Sequence, residues 1–367
     1  MKKIILMPDS FKGTYTSSEI CSTIQEAIHS VFPDCNVISI PVADGGEGSV
    51  DCFLKAVGGE KIFVTVSGPT GEPIKAYYGR FGDFAVIEMA ACAGLPLMGD
   101  KKDPVNSTTY GVGELMLHAL KKDLRKLIIG VGGSATNDGG CGMAAALGVK
   151  FYGKSGKSFL PTGGTLKDIE NIDLTGLNAL VKNADITAMC DIKNPLCGKN
   201  GAAYIFAPQK GADEQTVKFL DDGLRHLYEV ALKCLGTDIN SVCGAGAGGG
   251  MGAGLYGFAG AGLRPGIDTV LEAVNFNALA KDADLIITGE GRLDSQTLSG
   301  KVACGVGRAA KKLGIPAIAI VGSTEKGMTD FSSLGLTAVF KAAPSYKAFA
   351  DLGDIAEAAK NAVNFIR

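Results

Sequence analysis

The chain has 367 residues, with 36 basic and 38 acidic side chains, a net charge of −2 and an isoelectric point near 6.0. That length suits two domains better than one core, and balanced charges scattered along the chain exclude the electrostatic footprint of a nucleic-acid binder. Glycine, at 52 residues, is about twice its usual share, as in an enzyme that wraps backbone around small polar ligands.

Lys3 to Met7 reads as a strand, followed by the loop PDSFKG. The apolar run stops at Pro8 and Asp9, short of a secretory leader, so a cytoplasmic protein is expected. Thr16 and Glu19 fit a capping box, and Ile20, Ile24, Ile28 and Val31 form the apolar stripe of a helix. Val37 to Ile40 is a second strand, leading through VADGGEGS into a helix that ends at Gly58 and Gly59. From Ile62 the rhythm changes to neighbouring strands, VTV, IKAYYG and FAVIEM, joined by glycine turns. A helix over Thr108 to Leu120 precedes the buried strand Leu127 to Ile129, whose exit is GVGGSATNDGG.

This strand, its glycine turn and the helix that follows suggest an anion site, with Asn137 or Asp138 as the helix cap. The bland alternative is a tight connection without a ligand. Ile186 to Met189 is another buried strand, ending at Cys190 and Asp191. A long helix follows from Asp213 to about Leu235, its apolar side including Val217, Leu220, Leu224, Leu227 and Leu232. Ile239 to Leu263 carries no charge, but glycine and alanine leave too little apolar bulk for a membrane span. Its G-x-G-x-x-G matches follow no clear strand and give weak support to a dinucleotide site.

Leu285 to Ile287 forms a strand with TGEGRLDSQTLSGK as its polar exit, followed by a helix over Val302 to Leu313, a strand over Ala317 to Val321 and a last helix near Ile355 to Phe365. The opening alternation thus returns near Ala280. The expected architecture is α/β: a discontinuous Rossmann- or flavodoxin-like domain over 1–62 and 280–367, an inserted α/β domain over 63–279, and an active-site cleft between them. The ten cysteines include no C-x-x-C pair and only three histidines accompany them, so reduced, mostly buried thiols are expected.

Six strand exits carry carboxylates, cations or small hydroxyls: Asp9 to Lys12, Asp44 to Glu47, Ser134 to Asp138, Asp191 to Lys193, Glu290 to Asp294, and Lys301. Any one of them has a structural explanation as a cap or turn. Their recurrence at one kind of sheet edge points to a ligand cleft. No G-x-S-x-G elbow is present, and His29, His118 and His226 fall in helical patterns, which argues against a hydrolase. Carboxylates, cations and glycine amides suit phosphoryl transfer, although neither Gly156-Lys157-Ser158 nor Gly300-Lys301 completes a Walker A motif.

MPDSFKG, PVADGGEG, GVGGSATNDGG, CDIKNPLCGKNGAAYIFAPQKGA and TGEGRLDSQTLSGK, in that order across the whole chain, resemble the bacterial class I glycerate kinases. The resemblance implies ATP-dependent phosphorylation of D-glycerate, generally at the 2-position. Within it, Asp191 is the expected base or orienting acid because it leaves a buried strand, with Lys12 and Arg292 beside it in the catalytic set. Asp9, Ser10, Ser134, Asn137, Asp138, Asn194, Gly289 and Lys301 are expected to contact substrate or phosphate, and Asp44, Glu47, Glu290 and Asp294 to hold Mg²⁺. The expected partners are D-glycerate and ATP, with no nucleic acid or membrane, and self-association is left open. A 3-phosphorylating kinase, a non-catalytic glycerate or nucleotide sensor, and a nicotinamide-dependent hydroxy-acid dehydrogenase are the alternatives.

Overall fold

The computed structural model describes every residue except 12, 13, 43, 44, 47, 295–300, 329, 344–346, 348 and 367. Two compact units are present, one formed by 1–44, 51–58 and 265–367, the other by 45–50 and 59–264. Both are α/β.

The first unit holds a five-stranded parallel sheet in the order Ala338–Lys341, Ala317–Thr324, Leu285–Leu293, Lys3–Pro8, Asn36–Ser39. Its inner strands are apolar on both faces: Ile4, Ile5, Leu6 and Met7 are fully buried, as are Leu285 to Ile287 and Ala317 to Val321. Such strands need helices on both sides. One of these helices, Ser17–Val31, starts at a capping box in which Glu19 N–H donates to Thr16 Oγ1 and Thr16 N–H donates to the Glu19 carboxylate. Its Ile20, Ile24 and Ile28 enter the core.

The strand that begins at Leu285 is longer than its apolar run. The sequence suggests a polar loop from Thr288 onward, whereas pairing with Ala317–Thr324 continues to Arg292 opposite Ser323 and Leu293 opposite Thr324. Two features hold the extension. Thr288 Oγ1 donates to Met7 O at 2.8 Å, and Gly289 lies so close to its neighbour that a Cβ would stand 2.3 Å from Ile320 O. A side chain at that position would push the strands apart.

The second unit is built on a six-stranded mixed sheet. Gly262–Arg264, Asp185–Met189, Lys126–Gly130 and Phe84–Glu88 run parallel, and Pro73–Phe81 and Glu60–Ser67 complete it as an antiparallel pair. A separate small sheet joins Lys150–Tyr152, Ser158–Phe159 and Asn171–Asp173. Its strands are too short to show a period in sequence. The long helix Glu214–Leu235 is capped by Asp213, and Leu220, Leu224 and Leu227 are fully buried. Leu232, expected on the same side, is 44% exposed, because the buried face of the last turns is taken by Val230 and Ala231.

All ten cysteines are unpaired thiols. The three histidines have local partners: His29 Nε2 meets Cys35 O, His118 Nδ1 meets Tyr78 OH, and His226 Nε2 meets Ile169 O. Among the described residues no helix is long and apolar enough to cross a membrane.

Candidate active site

In the first unit, the polar residues gather where parallel strands end. Pro8 lies in register with Gly289, so Asp9 leaves its strand beside Glu290, which is still inside the longer neighbouring strand and paired with Val321. Asp9 N–H donates to Gly289 O at 2.8 Å, and the Asp9 carboxylate accepts from Ser10 N at 2.7 Å. Asp9 and Glu290 are buried, whereas Arg292 is exposed. Asp294 and Lys301 face each other at 3.7 Å, both partly exposed, with Lys301 directly before helix Val302–Leu313. Gly289 is a point of strand contact. Lys12, Asp44 and Glu47 lie outside the described residues. A residue that sequence reasoning passes over, Ser17, ties two of these exits together: its Oγ donates to Pro8 O at 2.6 Å and accepts from Val42 N at 2.9 Å. Small polar residues in the first turn of a helix are common, so its sequence carries no distinguishing signal.

In the second unit, Gly45, Gly48 and Val50 lie against the ends of three parallel strands, at Gly130, Met189 and Glu88. Gly132 N–H donates to Gly45 O at 3.0 Å, and a Cβ on Gly130 would meet the same carbonyl at 2.5 Å. Glu88, buried at the end of its own strand, accepts from Gly48 N at 3.2 Å and Val50 N at 2.5 Å. Its carboxylate thus caps helix Ser49–Val57, where an acidic group is favoured by the helix dipole. Sequence reasoning did not find Glu88, since it looks like the last residue of an ordinary strand.

The turn after strand Lys126–Gly130 brings together Ser134, Asn137 and Asp138, all buried. Asp138 accepts from Thr109 N and Thr109 Oγ1, both at 2.8 Å, and from Gly140 N at 3.1 Å and Gly142 N at 3.2 Å. Burial pushes its carboxyl pKa up, and these donors oppose the shift. The expected anion cradle of free glycine amides is therefore different in detail. The amides of Gly132, Ala135, Gly139, Gly140 and Gly142 all have internal acceptors, and the acceptor at the start of helix Cys141–Ala146 is the protein's own Asp138 carboxyl group.

The glycine run explains itself against this turn. It forms helix Ala247–Ala259, entered through left-handed residues at Gly248, Gly249 and Gly250, and the strand Gly262–Arg264 follows it. A Cβ on Gly249 would stand 1.9 Å from Thr136 O, and Gly139 N–H donates to Gly249 O at 3.1 Å. The glycines let helix backbone lie directly on the Thr136 to Gly140 turn. The strand, turn, helix order of a dinucleotide fingerprint is not present here.

Lys210, the last residue of the short 3-10 helix Pro208–Lys210, is 2% exposed and donates to Ser134 Oγ and Thr136 O, both at 2.7 Å. Burial lowers its pKa to about 7, and the Asp138 charge opposes the shift. Farther along, Asp191 follows the strand Asp185–Met189 and is half-buried. Asn194 Nδ2 donates to Asn200 O at 2.8 Å, and Asn194 O accepts from Gly246 N, which links this loop to the glycine run. Asp221, from the long helix, accepts from Gly198 N at 2.7 Å and so ties the same loop to that helix.

Among the described residues no group of three or more His, Cys, Asp or Glu is placed to hold a metal ion. Glu290 and Asp294 remain the described hard oxygen donors at the end of the strand Leu285–Leu293. A magnesium nucleotide needs only one or two carboxylates because phosphates and water complete its shell.

Comparison with known proteins identifies relatives that match nearly the whole chain. A family model described as the glycerate kinase family matches residues 4–366. A Halalkalibacterium halodurans protein named glycerate kinase is 44% identical over 94% of this chain and 91% of its own. An Escherichia coli K12 protein named glycerate 2-kinase is 46% identical over 92% of this chain and 90% of its own. The crystal structure of a candidate glycerate kinase 2 from Salmonella typhimurium LT2 superimposes with a TM-score of 0.85 at 40% identity, covering 100% of this chain and 97% of that one. With the polar strand ends of both units inside the matched region, the chain belongs to the glycerate kinase family.

Proposed function

We propose that the protein transfers the γ-phosphoryl group of ATP to the 2-hydroxyl of D-glycerate, giving 2-phospho-D-glycerate and ADP in the cytoplasm. The observation that carries this reading is the family match over residues 4–366, joined to 46% identity with the protein named glycerate 2-kinase. A second reading, transfer to the 3-hydroxyl, differs only in how glycerate is seated.

The hydroxyl oxygen attacks the γ-phosphorus while the bond to the bridging oxygen of ADP breaks, and the hydroxyl proton must leave. Asp191 is assigned to orient or accept that proton, a role worth roughly 10²- to 10⁴-fold in rate. Lys12, Arg292 and Lys301 are assigned to the phosphates and the glycerate carboxylate. Arg292 is best suited to a bidentate grip, and its exposure leaves the guanidinium accessible. Asp9 and Ser10 with Gly289 in the first unit, and Ser134, Asn137, Asp138 and Asn194 in the second, shape the binding surfaces. Glu290 and Asp294, with Asp44 and Glu47, are the carboxylates offered to Mg²⁺, which neutralises phosphate charge when bound. The discontinuous Rossmann- or flavodoxin-like domain with an inserted second domain belongs to the same proposal.

ADP release from ATP and Mg²⁺ should depend on added D-glycerate, and ³¹P NMR with carbon coupling should assign the product to the 2-position. ADP release no faster with glycerate than without it refutes the kinase reading. A product carrying phosphate at the 3-position selects the second one.

A further inference from the structure

Lys210 is not needed to explain the chemistry assigned above, yet it is the most deeply buried cation described in the second unit. Its amine reaches back to a segment far away in sequence, donating to the Ser134 hydroxyl oxygen and to the Thr136 carbonyl, both at 2.7 Å. A lysine amine brings a large desolvation cost into a protein interior. That cost suits a group kept for what it holds in place rather than for stability.

What it holds is unusual in composition. Ser134, Thr136 and Asn137 are buried together, and Thr136 Oγ1, Asn137 Oδ1 and Asn137 Nδ2 have no hydrogen-bond partner among the described residues. Because Lys210 donates to Ser134 Oγ, that oxygen is used as an acceptor and the serine's own proton remains for another acceptor. The charged group that faces the amine is Asp138, itself engaged by Thr109, Gly140 and Gly142. Gly249 lies against the same Thr136 carbonyl. One turn thus combines a fixed hydroxyl donor with unmatched amide and hydroxyl groups, a pattern expected where a polar ligand is received.

We infer that Lys210 is a positioning residue for phosphoryl transfer: by gripping Ser134 and Thr136 it orients the Ser134 hydroxyl as a hydrogen-bond donor toward an anionic oxygen of the substrates. This rests on the glycerate kinase reading and extends it, since Lys210 acts through Ser134 and does not touch substrate. Serine 134 supplies the contact, and the lysine sets its direction.

The test is a double-mutant cycle on the full-length protein, using ADP release with ATP, Mg²⁺ and D-glycerate, and thermal melting as the control for folding. Ser134→Ala and Lys210→Met are each expected to lower kcat/KM by about 10- to 100-fold. The double variant is expected to fall within about threefold of Ser134→Ala, because a lysine that acts through the serine has nothing left to orient. A purely structural lysine would instead multiply its loss onto that of the serine variant. Multiplied losses, or a Ser134→Ala variant with wild-type kcat/KM, overturn the inference. If Lys210→Met does not melt cooperatively, Lys210→Gln takes its place in the cycle, with the same two deciding results, and wild-type kcat/KM for Ser134→Ala overturns the inference without either lysine variant. Failure of the wild-type protein to release ADP would overturn the kinase reading, whereas an active wild type with multiplied losses overturns only the role of Lys210.

Discussion

Replacing Lys210 with methionine is expected to change how the stability of the second unit depends on pH. In an unfolded chain a lysine stays protonated to pH 10.5, whereas burial lowers Lys210 in the fold to about 7. Between these values the unfolded chain binds one more proton, so the wild-type fold gains stability as pH rises, at about 1.4 kcal/mol per pH unit. Below pH 7 both states carry the charge and the burial cost is present in full. The whole effect is on the order of 5 kcal/mol, of which about 2–3 kcal/mol falls between pH 7 and 9. Methionine keeps the length and loses the titration, so wild type minus Lys210→Met should rise by that amount over this interval. Urea unfolding followed by far-UV circular dichroism at pH 6, 7, 8 and 9 measures it, with each transition fitted separately because the chain has two units. Repeating the series in an Asp138→Asn background removes the facing carboxylate from the comparison. A difference that stays flat from pH 7 to 9 would show that Lys210 remains charged in the fold, held by Ser134 and Thr136, and would refute the desolvation argument.

Three other outcomes follow from particular contacts. Asp191→Asn should lower kcat by roughly 10²- to 10⁴-fold with an unchanged circular dichroism spectrum, and near-native turnover would remove Asp191 from the chemistry. Gly249→Ala should destabilise the protein by at least about 1–3 kcal/mol, because the residue has φ +70° and its Cβ would stand 1.9 Å from Thr136 O; an unchanged melting temperature would contradict that packing. On the long helix, Leu227→Ala should cost about 2–5 kcal/mol and Leu232→Ala under about 0.5 kcal/mol, since the first is fully buried and the second 44% exposed. Equal losses in the denaturation midpoints would mean that the helix presents a different face.

The inner strands were legible because physics leaves them few options. A short run such as Ile4 to Met7, apolar at every position, must be covered on both faces. The residue types at strand ends were also legible, since open parallel sheets expose those ends to ligands. Which of those residues are engaged internally was not. Asp138 lies in a glycine-rich turn after a buried strand, where it is surrounded by donors from Thr109, Gly140 and Gly142. Thr109 arrives from a different helix start, a pairing no local pattern encodes. Lys210 was invisible for the same reason: nothing local in PQKGA marks it, and only the approach of Ser134 and Thr136 makes it an interior lysine. The extended strand was missed because Thr288 to Arg292 is held by glycine contact and one threonine hydroxyl rather than by apolar side chains.

These long-range contacts change how negative charge must be handled. A phosphate-binding loop of the usual kind offers free backbone amides at a helix start. Here five amides of the most promising turn are already bonded, and the adjoining helix start is occupied by Asp138. A turn whose amides are so engaged adds little positive potential of its own. On the function proposed above, positive charge comes from side chains instead, and Arg292 and Lys301 in the first unit are the described candidates for supplying it. The second unit's turn is better matched to orienting a small polar molecule through Ser134 and its neighbours than to neutralising a triphosphate. On the function proposed above, the first unit's cations and carboxylates suit the charge that moves, and the second unit's hydrogen-bonded turn suits the hydroxyl that must stay still.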